Sequence, residues 1–432
     1  MKKMLEKLLY RLARLIIQRH QPIVIGVTGS MGKTSTKDAI ATVLKKKFTV
    51  RQTPENYNNE IGMPLTIIGS TSGGRNPFVW LAIVAKALVY GLLPLNYPKV
   101  LVLEMGADKP GDIKYLTALA PANIGIVTMI SDMPVHVQAF ADVDHLAQEK
   151  LIMLKHLGTD DIAIANLDEP YVAAAVPSLK SKIMTISTDR EADLAAFDID
   201  YAHDPAKLAH DPTVAGLRFK MRYQGSTVPV FIPGVIGQPI VYSALYAIAC
   251  GLHLEMNLVD IIAALQDYKG PNGRLRLLPG VQQSIILDDT YNSAPLAAKE
   301  ALHILHELKT PGRRIAVLGV MAELGMYAKR SHAAIGRQLA QLEIDQLISV
   351  GAEGRWMGEA AIEHGYPANA VTYAETTESV VERLPTLLQP NDIVLVKGSQ
   401  IARLEKVVKA CLAHPETADQ VLVRQHGKWP KI

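Results

Sequence analysis

The stretch that decides the fold of this chain is Ile23–Thr36, with the sequence IVIGVTGSMGKTST. Its first residues are β-branched and apolar, which is typical of a buried strand that ends near Val27. Gly29 and Gly32 then let the backbone turn closely around an anion, and the residues after them favour a helix. A strand, a glycine-containing turn and a helix N-terminus in this order predict a phosphate-binding loop, because successive backbone N–H groups point at the anion.

The residues after the second glycine supply the side chains that a nucleotide phosphate needs. Lys33 would reach the β- and γ-phosphates of ATP, and the Thr34 hydroxyl would bind Mg²⁺. The strict pattern has a further glycine where Val27 stands, so the match is to the Gly-Lys-Thr end. A chance Gly-Lys-Thr on a surface turn is disfavoured by the strand before it and the helix after it. The predicted nucleotide-binding loop comprises Gly29, Ser30, Met31, Gly32, Lys33, Thr34 and Ser35.

The bulk composition is that of an ordinary globular protein. The 432 residues are 49% hydrophobic and 20% charged with a formal net charge of +3, so no strongly basic surface points to nucleic acid. A chain of this length has room for two or three domains. Cys250 and Cys411 lie far apart in apolar helical contexts, which predicts buried packing residues in a reducing compartment and a cytoplasmic protein.

The N-terminal segment predicts a basic amphipathic helix over residues 1–21. Its cations outnumber its single acid, Glu6, and its apolar residues recur at helical spacing. Two interpretations stay open: the helix packs on the domain that follows, or residues 1–20 contact an anionic membrane surface, which for a cytoplasmic protein is the inner membrane surface. A second apolar stretch, residues 78–95, is interrupted by Lys86 and closed by Pro94, which disfavours a transmembrane span.

Predicted strands alternate with predicted helices through most of the chain. This pattern is typical of an α/β fold with doubly wound, mostly parallel sheets. Between residues 214 and 232 it changes to an antiparallel hairpin around Gln224-Gly225-Ser226. Residues 269–273, KGPNG, predict a linker. We therefore expect a P-loop ATP-binding domain over residues 22–270 and a smaller Rossmann-like domain over residues 271–432.

Three further residues are candidates by position. Glu104 follows the predicted strand 100–103 at the edge where open α/β sheets bind ligands, and carboxylates are ligands that Mg²⁺ prefers. His136 lies in a loop beyond the next strand, and Lys150 lies inside a predicted helix. Taken alone, a solvated acid, an exposed loop histidine and a solvent-facing lysine are the more ordinary interpretations.

A series of ordered segments resembles the Mur ligase family over about residues 22–410. The segments are TGSMGKTS (28–35), NYNNEIGMPL (56–65), EMGA (104–107) with PGDI (110–113), NLD (166–168), GR (273–274), DDTYNSAP (288–295), LGVMAELG (318–325) and KGS (397–399). Residues 291–295 and 321–325 look most like the branch of the family that adds D-alanyl-D-alanine to a UDP-muramoyl-tripeptide in peptidoglycan synthesis.

The resemblance implies an ATP-dependent amide ligase. In the family, ATP phosphorylates a substrate carboxylate, and an amine attacks the acyl phosphate through a tetrahedral intermediate to give an amide, ADP and phosphate. It implies that Lys33 and Thr34 hold the phosphates and the first Mg²⁺, and that Glu104 completes that metal site. His136 resembles the histidine of a second metal site. Lys150 corresponds to a lysine that in many members is carbamylated, which turns a cation into an anion able to face a metal.

The resemblance also assigns residues to the nucleotide. Asn166 and Arg274 are expected to contact it. Asp289 and Asn292 are expected to bring the second domain onto its ribose and base. Lys397 is expected to lie near the transferring phosphoryl group, where cations stabilise the charge that develops during transfer.

The sequence departs from the family pattern in places. Thr128-Met129 stands where members often have Thr-Asn, Val135-His136 stands in for Ala-His, and Gly237-Gln238-Pro239 replaces Gly-x-His-Asn. The largest departure is that members usually have an entire UDP-binding domain before the loop, whereas residues 1–25 precede Gly26 here. Either another part of the chain binds the nucleotide end of a UDP-linked acceptor, or the acceptor is a different one, such as a lipid-linked precursor.

Two other functions stay open. A ligase of the same chemistry could join an amino acid to a different cell-wall or polymer precursor. A membrane-associated P-loop ATPase switch would use the N-terminal helix as its functional end, but it would not need a nucleotide clamp from a second domain. As a ligase, the chain takes small molecules as partners, namely a carboxylate acceptor such as a muramoyl-peptide and an amino acid or dipeptide.

Overall fold

The structure is a computed structural model that describes residues 2–54, 57–130, 140, 142–202, 215–426 and 429. The chain forms two compact units. Unit 1 comprises residues 1–199, 219–230 and 239–268, and unit 2 comprises residues 200–218, 231–238 and 269–432. Each unit contains a sheet with helices around it, and most strand pairs are parallel. The predicted α/β class is therefore confirmed.

The elements up to residue 268 build the larger sheet and its helices. The strands are β1 (Ile23–Thr28), β2 (Val50–Gln52), β3 (Val100–Glu104), β4 (Ile124–Val127), β5 (Ile162–Asn166), β6 (Lys182–Ser187), β7 (Leu194–Ala202), β8 (Gly216–Tyr223) and β9 (Ser226–Pro233). The helices are α1 (Lys2–His20), α2 (Lys33–Leu44), α3 (Gly62–Ile68), α4 (Pro77–Leu92), α5 (Asp112–Leu119), α6 (Val143–Lys155), α7 (Pro170–Ala175), α8 (Gln238–His253) and α9 (Leu258–Leu265).

The strand order of the larger sheet places the phosphate-binding loop. The order is β2-β3-β1-β4-β5-β6-β7-β8-β9, and β1 pairs in parallel with both β3 and β4. Val27 lies opposite Glu104, and Thr28 lies opposite Val127. The carboxyl ends of three strands therefore meet at one edge, which is where open α/β sheets bind ligands.

Two local features follow directly from the sequence. Helix α2 begins at Lys33, earlier than the predicted start at Lys37, because Gly32 adopts a positive φ of 81° and ends the loop there. Strands β8 and β9 are neighbours joined by Gln224 and Gly225, both with positive φ, as a type I′ hairpin turn requires. The predicted hairpin is confirmed.

The elements after residue 268 form the second sheet. The strands are β10 (Arg276–Pro279), β11 (Ile285–Asp289), β12 (Arg314–Leu318), β13 (Gln346–Val350), β14 (Val371–Ala374) and β15 (Ile393–Lys397), in the order β10-β11-β15-β12-β13-β14. All neighbours are parallel except β10 and β11. The helices are α10 (Pro295–Glu307), α11 (Ala328–Leu339), α12 (Arg355–Glu363), α13 (Thr377–Leu387), α14 (Glu405–Cys411) and α15 (Ala418–Val421).

Helix α1 is part of the core of unit 1. It packs on α3, α4 and α5. The packing interpretation is met in part, since Leu12 and Ile16 are buried with Leu9 and Ala13, whereas Leu8 of the same apolar stripe is exposed. None of the described helices combines the length and hydrophobicity needed to cross a bilayer.

The burial of α1 predicts a stability effect. Ile16 is fully buried, so Ile16→Ala should lower the free energy of unfolding by about 2–5 kcal/mol, through lost apolar burial and a residual cavity. Met4, on the same helix, is 76% exposed, and Met4→Ala should change the free energy of unfolding by less than about 0.5 kcal/mol. Urea denaturation followed by circular dichroism measures both. Equal effects of the two variants would contradict the packing of α1.

Candidate functional site

The loop between β1 and α2 has the backbone of an anion-binding turn. Gly29 and Gly32 have φ values of 145° and 81°. A Cβ atom added to Gly29 would lie 1.9 Å from Oγ1 of Thr128, so this position accepts only glycine. The Lys33 ammonium folds back over the loop and donates to the carbonyl oxygens of Gly29 and Ser30, at 2.8 and 3.2 Å. The amine is thus positioned where a phosphate on the loop would meet it.

The two residues that follow strand β4, Thr128 and Met129, fix this loop from the other side. The Ser30 N–H donates to the carbonyl oxygen of Met129 at 2.7 Å. Oγ1 of Thr128 lies 2.6 Å from the carbonyl oxygen of Met31 and 3.1 Å from that of Thr28. Sequence reasoning noted the segment 128–129 only as a departure from a family pattern. The hydroxyl of Thr128 is a structural part of the site that only the strand pairing reveals.

Glu104 and Thr34 meet at the loop, as predicted. The Thr34 hydroxyl donates to Oε2 of Glu104 at 3.0 Å, and the Asn58 amide donates to Oε1 at 3.1 Å. Glu104 is 7% exposed. A buried carboxylate and a hydroxyl beside a phosphate-binding loop form a donor set that fits Mg²⁺, since this ion takes few protein ligands and completes its shell with phosphate oxygens and water. In the described part of the chain, no three His, Cys, Asp or Glu side chains lie close enough together to hold a metal ion by themselves.

Lys150 points into the same loop from α6. Its ammonium donates to the carbonyl oxygen of Gly29 at 3.0 Å, and the residue is buried. Burial, and secondly the charge of Lys33, lower the pKa of Lys150 to about 7, although Asp108 and Glu149 oppose the shift. A solvent-facing lysine, the ordinary interpretation of its sequence position, is therefore wrong.

The neighbouring Glu149 anchors α6 in the orientation that directs Lys150 inward. Its two carboxylate oxygens accept from the backbone N–H groups of Gly111 and Ile113, at 3.0 and 2.8 Å. These are N-terminal amides of α5, where a carboxylate also interacts favourably with the helix dipole. The PGDI segment thus positions α6 through its backbone.

Asn166 lies at the carboxyl end of β5. Two residues later, Asp168 accepts several hydrogen bonds. The Asn166 side chain accepts from the Asp168 N–H at 3.0 Å. Asp168 accepts from the hydroxyls of Ser187 at 2.6 Å and Tyr242 at 3.0 Å, and from the Thr188 N–H at 2.6 Å. The sequence analysis identified the segment NLD as part of a family pattern. It could not show the hydrogen bonds of Asp168, because their partners are distant in sequence. His136 and Asn56, named in the sequence analysis, lie outside the described residues.

In unit 2, three of the predicted residues come together. Asp289 at the end of β11 lies opposite Lys397 at the end of β15. The Lys397 ammonium donates to Oδ2 of Asp289 at 2.6 Å and to the carbonyl oxygen of Asn292 at 3.0 Å. Lys397 and Asp289 are both buried. Burial without this partner would strongly penalise the charge of either group, so the pair depends on its mutual contact.

Ser399 connects the segments around this pair. Its hydroxyl accepts from the Ala322 N–H at 2.7 Å and donates to the carbonyl oxygen of Ser293 at 3.3 Å. The three segments DDTYNSAP, LGVMAELG and KGS, far apart in sequence, thus meet at the carboxyl ends of β11, β12 and β15. These segments lie at the carboxyl-terminal edge of the sheet of unit 2. Open α/β sheets bind ligands at this edge, and the phosphate-binding loop lies at the corresponding edge of the sheet in unit 1.

Arg274 stacks on Tyr291, with its guanidinium carbon 4.3 Å from the ring centroid. Nε of Arg274 is buried and has no hydrogen-bond partner among the described residues. Arg424 approaches the same ring at 5.9 Å and donates to the carbonyl oxygen of Thr290 at 3.0 Å. The sequence singled out the segment that contains Tyr291 but not its contacts, and it missed Arg424, since only the fold brings residue 424 to this ring. The buried Nε–H of Arg274 is a donor that a bound polar group would satisfy.

The lowered pKa of Lys150 predicts a pH dependence of stability. Between pH 7 and the ordinary lysine pKa of 10.5, the unfolded chain binds more protons at Lys150 than the folded chain, so folding stability should rise with pH in this window. Urea unfolding in CO₂-free buffers should show that Lys150→Met flattens this rise. Lys155→Met, at an exposed lysine of the same helix, should leave it unchanged. Parallel pH profiles for wild type and Lys150→Met would contradict the assignment.

Two family models match the chain. The model described as the Mur ligase middle domain matches residues 27–79 and 88–251, and the model described as Mur ligase, glutamate ligase domain, matches residues 273–400. The chain is 28% identical to the UDP-N-acetylmuramoyl-tripeptide–D-alanyl-D-alanine ligase of Bacillus subtilis, over 94% of this chain and 79% of that protein. It is 31% identical to the ligase of the same name from Mycobacterium bovis, over 90% of this chain and 73% of that protein.

A solved structure shares the fold. The crystal structure of MurF ligase from Thermotoga maritima in complex with ADP superposes with a TM-score of 0.75, at 24% identity, over 96% of this chain and 84% of that one. The resemblance to the Mur ligase family is thus confirmed by the family models, by the sequence relatives and by the shared fold. The phosphate-binding loop, the strand-end carboxylate and the buried lysine of unit 1 lie within the matched segments. The chain belongs to the Mur ligase family, whose members are ATP-dependent ligases that form amide bonds.

Proposed function

We propose that this chain adds D-alanyl-D-alanine to the carboxylate of a muramoyl-peptide precursor in peptidoglycan synthesis. The observation that carries the chemistry is the meeting of Lys33, Lys150 and the Glu104–Thr34 pair at one phosphate-binding loop. The substrates are supported by the names of relatives that align over at least 90% of this chain. The reaction belongs in the cytoplasm, where ATP is available.

In the proposed reaction, a carboxylate oxygen of the acceptor attacks the γ-phosphorus of ATP, and the bond to the bridging oxygen of ADP breaks. The amine of the dipeptide then attacks the acyl carbon and loses a proton. The bond between the acyl carbon and the phosphate oxygen breaks, and inorganic phosphate leaves. Lys33 and the loop N–H groups hold the phosphates in line for the first step. Mg²⁺, held by Thr34 and Glu104, would neutralise phosphate charge.

Lys150 is proposed to be carbamylated. A neutral amine nitrogen attacks the carbon of CO₂, and the product loses a proton to become an anionic carbamate. The lowered pKa supplies neutral amine near pH 7, whereas an ordinary lysine would be almost fully protonated there. The carbamate would place negative charge close to the Lys33 ammonium and to a bound metal ion. His136 stays a predicted ligand of a second metal.

The residues of unit 2 are proposed to serve the nucleotide. Arg274, whose buried Nε–H has no partner in the described part of the chain, and Asn166 of unit 1 are the proposed nucleotide contacts. Asp289 and Asn292 are proposed to contact the ribose and base, and Lys397, which both of them hold, to face the transferring phosphoryl group. Residues 22–270 and 271–432 are the proposed boundaries of the ATP-binding and Rossmann-like domains.

The substrate dependence of ATP cleavage tests this function. We expect ADP release to require both a muramoyl-tripeptide, offered as its UDP-linked and its lipid-linked form, and D-alanyl-D-alanine. Lys33→Ala should lower turnover by at least about a hundredfold, because the phosphates lose their charge-assisted contact. Lys329→Ala, at an exposed lysine of unit 2, is the matched control. ADP release with ATP alone would instead indicate the P-loop switch.

The metal assignment has its own test. Glu104→Gln keeps the shape of the side chain but removes its charge, so we expect turnover to fall about tenfold or more and the Mg²⁺ concentration for half-maximal rate to rise. Glu191→Gln, at an exposed acid of unit 1, should change neither quantity. A Glu104→Gln enzyme with the wild-type Mg²⁺ profile would remove Glu104 from the metal site.

A further inference from the structure

Helix α4 presents an apolar face to solvent. Its inward face is formed by Ile83, Ala87 and Gly91, which are buried. On the opposite face, Phe78 is 78% exposed, Leu81 66% and Leu92 64%, with Leu88 and Val89 also exposed. A helix on the surface of a globular protein normally carries polar residues on this face. Continuous apolar exposure of this kind marks an interaction surface.

The one charged residue of α4 is turned away from this face. Lys86 donates to the carbonyl oxygen of Gly69, the C-cap residue that follows α3. Burial, and secondly the nearby Arg51, lower the pKa of Lys86. The ammonium therefore interacts with the C-terminus of a neighbouring helix, where the dipole favours a cation. The exposed face of α4 carries no charge of its own.

Cations lie beside this face on α1. The two helices pack so closely that a Cβ atom added to Gly91 would lie 2.7 Å from Cδ2 of Leu15. Met4 and Leu8 share the Leu15 side of α1 and are exposed, which extends the apolar surface. The outward side of α1 exposes Lys3, Lys7 and Arg11. Arg14 turns instead toward α5, where its guanidinium donates to the carbonyl oxygen of Ala118 at 2.6 Å.

The acidic residue of α1 does not cancel this charge. Glu6 lies on the opposite flank and hydrogen-bonds Tyr115 of α5, whose pKa is raised to about 12 by burial first and then by the charge of Glu6. Tyr10 on the same flank contacts Tyr115 with a tilted ring, and the two ring centroids are 5.1 Å apart. An apolar helix face and a row of cations thus point outward from adjacent helices, while the acid points sideways.

We propose that α1 and α4 together bind unit 1 to the surface of an anionic lipid bilayer. The apolar face of α4 enters the boundary between headgroups and acyl chains, and the cations of α1 contact the lipid phosphates. This revises the predicted membrane contact through residues 1–20, since Leu9, Leu12 and Ile16 are buried and cannot insert.

Charge complementarity favours lipid over a second copy of this chain, because a symmetric contact through this surface would bring two cationic α1 helices together. The surface is also separate from the proposed chemistry. Neither α1 nor the exposed residues of α4 are among the residues proposed for the chemistry. The inference therefore does not depend on the identity of the substrates.

Vesicle co-sedimentation of the full chain tests the proposal. We expect binding to vesicles of phosphatidylcholine with phosphatidylglycerol, weaker binding at high salt, and little binding to phosphatidylcholine alone. The double variant Leu81→Asp, Leu92→Asp should reduce the bound fraction about tenfold or more at every salt concentration. The double variant Lys7→Glu, Arg11→Glu should reduce it mainly at low salt. All four side chains are exposed, so the melting temperature should not change.

Matched controls separate this surface from general changes in charge or hydrophobicity. Val259→Asp replaces a valine of α9 that is 73% exposed, and Lys329→Glu, Arg330→Glu reverses two exposed cations of unit 2. Both controls should bind vesicles as wild type does, and ATP affinity should be the same in all variants. Equal vesicle binding by wild type and the α4 variant would overturn the proposal. So would an α4 variant that converts a dimer to a monomer, measured by sedimentation velocity, in a chain that does not bind vesicles.

Discussion

The carbonyl oxygen of Gly29 accepts hydrogen bonds from the ammonium groups of two lysines, Lys33 and Lys150. Two cations at one backbone atom repel each other, and burial adds a further penalty to the charge of Lys150. Loss of the Lys150 proton, the first step of the proposed carbamylation, relieves this repulsion. The glycine backbone, the hydroxyl of Thr128 and the orientation of α6 all serve to hold these two amines at one point.

The sequence predicted the parts of the site whose signals are local. The loop is recognisable because strand, glycine and lysine are consecutive, and Glu104 is recognisable because it ends an apolar strand. Lys150 needed the family resemblance, since nothing in its own helix shows that it is buried. Thr128, Asp168 and Arg424 could not be predicted, because each acts through partners that only strand order and tertiary packing bring near.

The N-terminal helix illustrates the same limit. Its amphipathic pattern is equally compatible with packing and with membrane insertion, because both bury an apolar stripe. The structure assigns that stripe to the core, and it moves the exposed apolar surface to α4, where the sequence shows a hydrophobic run with one lysine. Periodicity could not show that Lys86 turns toward Gly69, and this one side-chain direction decides whether the outer face of α4 is charged.

The packing of α1 also constrains the order in which the protein can assemble. During synthesis α1 leaves the ribosome before α3, α4 and α5, the helices that it packs against. At ordinary rates of translation, its apolar stripe therefore waits on the order of seconds for its partners. Until then α1 lacks most of its helical stability, because in proteins that stability comes mainly from the packing of an apolar face. Leu9 and Ile16 therefore reach their buried positions only after those helices have been synthesised.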